Sequence, residues 1–156
     1  GRTGSLLSRE YAESMTGDRV LGLDVGDRTI GVAASDALFL TAQGVETIRR
    51  TTLQKDLARL CARMDEYEAR RLVVGWPRNM DGSEGERCAI VRAFAEAIKK
   101  VRPEAEIVFW DERLSTVAAA RSLIAADVSR AKRKKVIDKM AAVFILQGFL
   151  DREARG

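Results

Sequence analysis

A carboxylate set inside an apolar strand narrows what this chain can be more than any other feature. In Leu21-Gly-Leu-Asp24-Val-Gly26-Asp-Arg-Thr-Ile-Gly31-Val-Ala-Ala-Ser-Asp36, the residues Val20, Leu21, Leu23 and Val25 suit a short buried strand. Ile30, Val32 and Ala34 alternate with Gly31 and Ala33 as a second strand would, and Gly26-Asp27-Arg28-Thr29 has the composition of a tight hairpin turn. An ionised carboxylate such as that of Asp24 is expensive to bury unless its charge is compensated, and a bound metal ion can do that. Gly26 and Gly31 leave the backbone open nearby, as a phosphate-bearing substrate would require. The plainer alternative is a turn-capping aspartate between two turn or bulge glycines.

Downstream, a loop around Phe39-Leu40-Thr41 leads to a third strand, Gly44-Val45-Glu46-Thr47-Ile48. Thr51, with Gln54 three residues on, predicts a capped helix whose apolar face is Leu53, Leu57, Leu60 and Met64. Arg71-Leu-Val-Val-Gly75 reads as a central fourth strand and runs into a loop rich in turn formers, Trp76-Pro-Arg-Asn79-Met-Asp-Gly82. Ser83 and Glu86 open a second helix with the stripe Ile90, Val91, Phe94, Ile98 and Val101, which Pro103 ends. Ile107 to Trp110 is a fifth strand, parallel to the fourth because a whole helix separates them, and it delivers Asp111-Glu112-Arg113 at its carboxyl end. Ser115 or Thr116 caps a third helix. A linker at Asp127 to Arg130 then leads through Lys132-Arg133-Lys134-Lys135 to a last, mostly apolar helix with Asp138 in its first turns. The order βββαβαβαα predicts an α/β domain whose five-stranded mixed sheet starts antiparallel, ends parallel and is flanked by helices.

A chain of 156 residues fits one domain, placed at 20–151, with 1–19 as a flexible leader lacking the apolar segment of a secretory signal. No apolar run approaches the roughly 20 residues needed to span a bilayer. The net charge of +4 suits an acidic partner such as nucleic acid without demanding one. Cys61 and Cys88 make no metal-type cluster and fit buried helical positions in a reduced, cytoplasmic protein. The chain has no histidine, which excludes His-based triads and His-rich zinc sites and leaves acid–base or metal chemistry mainly to carboxylates.

Three carboxylates stand on elements that this topology can bring together: Asp24, Glu112 and Asp138. Ligands in open α/β sheets gather at the carboxyl ends of parallel strands, where Glu112 lies. Two or three carboxylates with waters and substrate phosphate are what Mg²⁺ or Mn²⁺ prefers, and two such ions about 4 Å apart can activate a water and stabilise the leaving oxygen of a phosphodiester. Asp138 also fits a helix-start carboxylate placed by the macrodipole. The loop from Asn79 through Gly82 to Gly85 could offer N–H groups to a phosphate, or be an ordinary strand-to-helix connection. Arg113 could grip a phosphate bidentately or pair with Asp111. Arg130, Lys132, Arg133, Lys134 and Lys135 could neutralise the backbone of a bound strand or form a solvated surface. Asp36 and Asp81 read as turn residues.

Leu21-Gly-Leu-Asp-Val-Gly…Ile30-Gly-Val-Ala…Ser35-Asp36, Val73-Val-Gly-Trp-Pro77…Asn79-Met-Asp-Gly82, Asp111-Glu-Arg-Leu-Ser115 and Lys135-Val-Ile-Asp138…Ala141-Ala142 resemble the YqgF/RuvX family. The resemblance runs from about Val20 to Leu150, in order, with Trp76 where an aliphatic residue is common. It implies a ribonuclease H-like fold and a nuclease dependent on Mg²⁺ or Mn²⁺, with Asp24, Glu112 and Asp138 on the family's acidic positions. It further implies maturation of the 5′ end of pre-16S ribosomal RNA, with cleavage of junction DNA as the alternative substrate. Partners would be nucleic acid and ribosomal particles, with no membrane, for a monomer or homodimer. Two other classes compete: an actin- or sugar-kinase-like ATPase, which needs a second phosphate loop and domain, and a non-catalytic RNA-binding assembly module.

Overall fold

The structure is a computed structural model that describes residues 19–114 and 130–155, apart from the side chains of 130–139. Five strands form one sheet: β1 (Arg19–Val25), β2 (Thr29–Ser35), β3 (Ala42–Arg49), β4 (Ala69–Trp76) and β5 (Glu106–Asp111), in the order β3-β2-β1-β4-β5. β1 pairs antiparallel with β2, and β2 with β3, while β4 runs parallel to both β1 and β5. The hairpin turn closes where Gly26 N–H donates to Thr29 O at 2.9 Å. The helices are α1 (Leu53–Glu66), α2 (Glu86–Val101) and α3 (Arg130–Arg155), with a single 3₁₀ turn at Glu112–Leu114.

Because side chains alternate across a strand, each strand feeds two layers. Leu21, Leu23, Val25, Ile30, Val32, Leu72 and Val74 pack with Leu57, Leu60 and Met64 of α1 and with Val91, Phe94 and Ile98 of α2. Val20, Ala33, Val73 and Trp110 point the other way, against Ala141, Ala142, Ile145, Leu146 and Phe149 of α3. Burying each large side chain stabilises the fold by about 1.5–3 kcal/mol. α3 crosses closely because Gly22 has no side chain; a Cβ there would stand 2.6 Å from Leu146 Cβ and 2.9 Å from Ala142 O. Further along α3, Gln147 accepts a bond from Ala42 N at 2.9 Å and donates to Leu40 O at 2.9 Å, which fixes the β2–β3 loop. Ala42 faces Ser35, level with the start of β1, so residues upstream of Ala142 lead toward the carboxyl end of β1.

Several helix starts differ from the expectation. Thr52, not Thr51, caps α1, its hydroxyl accepting from Lys55 N at 3.2 Å. The Thr51 N–H goes instead to buried Asp56 at 3.0 Å. α2 starts at Glu86 behind Gly85, and Ser83 stays in the loop, where its backbone N–H and hydroxyl both donate to Asp81. Leu53 and Val101, expected on the apolar stripes, are exposed at the helix ends, and Cys61 is only partly buried beside fully buried Cys88. α3 begins at Arg130, so Lys132 to Lys135 lie in its first turns rather than ahead of it. The expected cap at Ser115 or Thr116 and the start of the linker lie outside the described residues.

Candidate active site

Asp24 sits on the α3 side of β1, between Leu23 and Val25 of the opposite core. Its partner on β2 is Gly31. On the other flank Leu23 pairs with Val74, so the next step of the parallel register sets Asp24 beside Gly75. The carboxylate therefore stands in a row between two residues without side chains, in a trough of the sheet. It is 3% exposed. Gly75 is paired in turn with Trp110, two residues before Glu112.

Glu112 opens the 3₁₀ turn after β5 and is buried, at 7% exposure. Its Oε2 reaches back over Gly75, lying 2.8 Å from where a Cβ would stand, while Ile145 Cδ1 of α3 lies 2.4 Å from the same point. Gly75 thus admits the Glu112 carboxylate to the row that Asp24 occupies. Adjacent strands are about 4.8 Å apart, so the two buried carboxylates occupy neighbouring places in one row. That donor set fits Mg²⁺ or Mn²⁺. Among the described residues no three His, Cys, Asp or Glu side chains form such a cluster. Position 138 lies one turn before Ala142 and two before Ile145 on α3, on the stripe that approaches the carboxyl end of β1; its side chain is outside the described residues.

A cation already stands at this site. Arg87, in the first turn of α2, donates from Nη2 to Asp24 Oδ1 at 3.0 Å. Sequence reasoning missed it, although a positive charge at a helix N-terminus opposes the macrodipole and so signals another role. The turn beyond Asp24 is braced from the connection between β3 and α1. Arg50 donates to Gly26 O at 2.9 Å and to buried Asp56 at 3.1 Å, and its guanidinium lies 5.1 Å above the Phe94 ring. This pair too went unpredicted, because nothing in its spacing separates it from surface charge.

Arg113 is clamped to Asp111, with Nη2 donating to Oδ2 at 2.7 Å, Nε to Oδ1 at 3.1 Å and its backbone N–H to Oδ1 at 3.0 Å. This guanidinium holds the Asp111 carboxyl below the usual aspartate range, against the opposing effect of burial. Arg113 Nη1 is 3.4 Å from where a Cβ of Gly82 would be, so Arg113 and the Gly82 turn come together. Gly82 itself has φ +89°, a conformation glycine adopts without strain. Asn79 is a loop brace: its side chain donates to Ser83 Oγ at 3.0 Å, its N–H to Ser83 O, and its carbonyl accepts from Gly82 N. Asp81 and Asp36 are turn residues as expected, Asp81 accepting from Ser83 and Asp36 from Leu40 and Thr41. The side chains of Lys132, Arg133, Lys134 and Lys135 lie outside the described residues.

A family model described as RuvX, Holliday junction resolvase, matches residues 18–152. The chain belongs to the RuvX family. A relative from Desulforamulus reducens is 58% identical over 137 residues, covering 88% of this chain and 99% of its own length. A second, from Myxococcus xanthus, is 56% identical over 133 residues, covering 85% of this chain and 87% of its own. Both are named, provisionally, pre-16S rRNA nucleases. Among solved structures, Thermus thermophilus RuvC in complex with a Holliday junction substrate superposes with a TM-score of 0.53 at 14% identity, over 88% of this chain and 96% of that one. At that identity the likeness is one of fold, and the RuvX chain is ribonuclease H-like as the sequence motifs implied.

Proposed function

We propose that this RuvX-family protein is a nuclease that hydrolyses phosphodiester bonds at the 5′ end of pre-16S ribosomal RNA, using Mg²⁺ or Mn²⁺. The observation that carries the reading is Glu112 reaching over Gly75 into the row of Asp24. When bound, the divalent ion supplies an activated water and a counter-charge for the leaving oxygen. Asp24, Glu112 and Asp138 would hold it. The rest of the work falls to this chain's own side chains. Asp24 and Glu112 are fixed by a paired strand and a short turn, so their oxygens need little reorganisation. Arg87 compensates the Asp24 charge and would stand beside the phosphate of a bound strand. Arg113, oriented by Asp111, and the Asn79–Gly82 turn beside it would face the backbone of a bound strand on the β5 side.

Lys132, Arg133, Lys134 and Lys135 would neutralise backbone phosphates further along, so replacing all four with Ala should flatten the slope of binding against log salt. The names of the relatives support rRNA as substrate. The family description, Holliday junction resolvase, supports a second reading in which junction DNA is cut. Labelled pre-16S rRNA and a four-way junction, each incubated with protein and Mn²⁺ or with EDTA, decide between them. Metal-dependent cleavage of the RNA alone is the expected result, and no cleavage of either would overturn the nuclease reading. Among the described residues no helix is long and apolar enough to cross a membrane. A cytoplasmic, monomeric or homodimeric protein acting on free or ribosome-bound RNA accords with this reading.

A further inference from the structure

The opposite side of the β4–β5 edge carries a second feature, away from the carboxylates and at the margin of the core. Phe109 lies in the middle of β5, with 47% of its surface exposed. Its ring meets Trp76 edge-on, centroids 4.9 Å apart at 61°. Arg92 of α2 spreads its guanidinium over Trp76, 5.1 Å from the ring centre. Trp76, Arg78, Glu84, Arg92, Phe109 and Asp111 enclose a groove of about 450 Å³, the size of a small-ligand site. Its two carboxylates are already paired: Glu84 with Arg92 at 2.7 Å and Arg78 at 3.5 Å, and Asp111 with Arg113 at 2.7 Å. Within the lining two guanidiniums balance two carboxylates, and Arg113, clamped to Asp111, adds a further guanidinium at the end toward Glu112. Asp111 joins this groove to the candidate active site, because Glu112 is the next residue.

We infer that this groove binds an unpaired nucleobase of the substrate, stacked on Phe109, with the flanking phosphate against the Arg78 and Arg92 rim. The inference rests on the nucleic-acid reading above and adds the kind of strand recognised. An exposed ring offers a π face that any base can cover, and guanidiniums beside it attract the phosphate. A duplex keeps its π faces stacked internally, so the groove selects single-stranded segments next to the cleaved bond. A peptide's aromatic side chain would use the ring but bring no phosphate to the guanidiniums beside it.

The test uses the full chain in EDTA with a short single-stranded RNA carrying 2-aminopurine, and a duplex of the same sequence as control. Phe109→Leu keeps an apolar side chain of similar bulk without the π face. It should weaken single-strand binding by roughly 5- to 100-fold, the usual range for losing one base stack, and abolish the 2-aminopurine quenching. Duplex binding should stay within about twofold. Phe109→Tyr should retain both affinity and quenching, and equal melting temperatures confirm that the fold is kept. Unchanged single-strand binding by Phe109→Leu, or equal losses on single strand and duplex, would overturn the inference. Cleavage with Mn²⁺ is scored separately. Phe109-dependent binding without cleavage leaves the groove standing and removes the nuclease; cleavage with Phe109-independent binding does the reverse.

Discussion

The two faces of one sheet are built from the same strands yet follow opposite rules. Toward α1 and α2, Leu21, Leu23, Val25, Ile30, Val32, Leu72 and Val74 are buried aliphatics, and Phe94 packs with them. Toward α3, Val20, Ala33 and Val73 share the alternate positions with Gly22, Asp24, Gly31 and Gly75, and the helix comes close where side chains are missing. One face supplies stability and the other gives it up locally to hold two carboxylates beside bare backbone. Local charge and poor packing at a site are tolerated when a rigid, well-packed layer lies beneath them.

The sharpest break of that contrast is Asp24→Asn. A neutral amide is a poor ligand for a hard divalent ion, so the cleavage rate should fall by roughly 10³-fold. The melting temperature without metal should change little, because Arg87 is partly exposed and can hydrate its freed guanidinium. The stabilisation that Mn²⁺ gives the unaltered protein should shrink. A variant that unfolds would make Asp24 structural. Phe94→Ala addresses the other face: a cavity in that core should cost about 3–5 kcal/mol in denaturant unfolding, with the rate per folded molecule preserved. A large rate loss there would show that the faces are not separable.

Gly75→Ala falls between them, since the added Cβ would meet Ile145 at 2.4 Å and the Glu112 carboxylate at 2.8 Å. Overpacking should cost about 1–3 kcal/mol, and displacing Glu112 should slow cleavage by up to roughly 100-fold. Paired melting and rate measurements sharpen the comparison, because only at this residue should both move. The smallest effect concerns Asp111. Its folded pKa lies below the ordinary value of 3.8, so its clamp on Arg113 stabilises fully above that pH and is lost as pH falls through the folded value. Asp111→Asn should therefore lower the neutral plateau slightly, leave stability well below about pH 4 unchanged, and so flatten the acid limb of the stability curve. An unaltered acid limb would mean the clamp adds nothing to folding.

The strands were legible because period-two alternation puts one apolar face on a strand and would scatter it around a helix. Asp24 was visible as the one charge interrupting such a run, and Glu112 because it follows a parallel strand directly. Helix starts were less legible. Thr51 has the capping-box partner Gln54, yet Thr52 caps, because Asp56 takes the Thr51 N–H. Ser83 and Glu86 match a capping box, yet Ser83 is held by Asp81 before it can cap. Gly75 looked like a strand end, and its role exists only once α3 crosses the sheet. Phe109 has the parity of a core residue but sits on a strand with no neighbour beyond it among the described residues. Long-range placement, which local spacing does not encode, accounts for each of these.

The pairing of Asp24 with Gly31 also sets an arithmetic for the hairpin. β1 is held on its far side by β4, so a change in the length of the Gly26–Thr29 turn shifts β2, with β3 paired to it, against β1. One residue added or removed would rotate β2 by half a period, turning Ile30 or Val32 toward α3 beside the carboxylate and Gly31 into the core. Two residues would restore the parity. Viable length variants of this turn should therefore differ from the present chain in even steps, so that the first strands count in pairs.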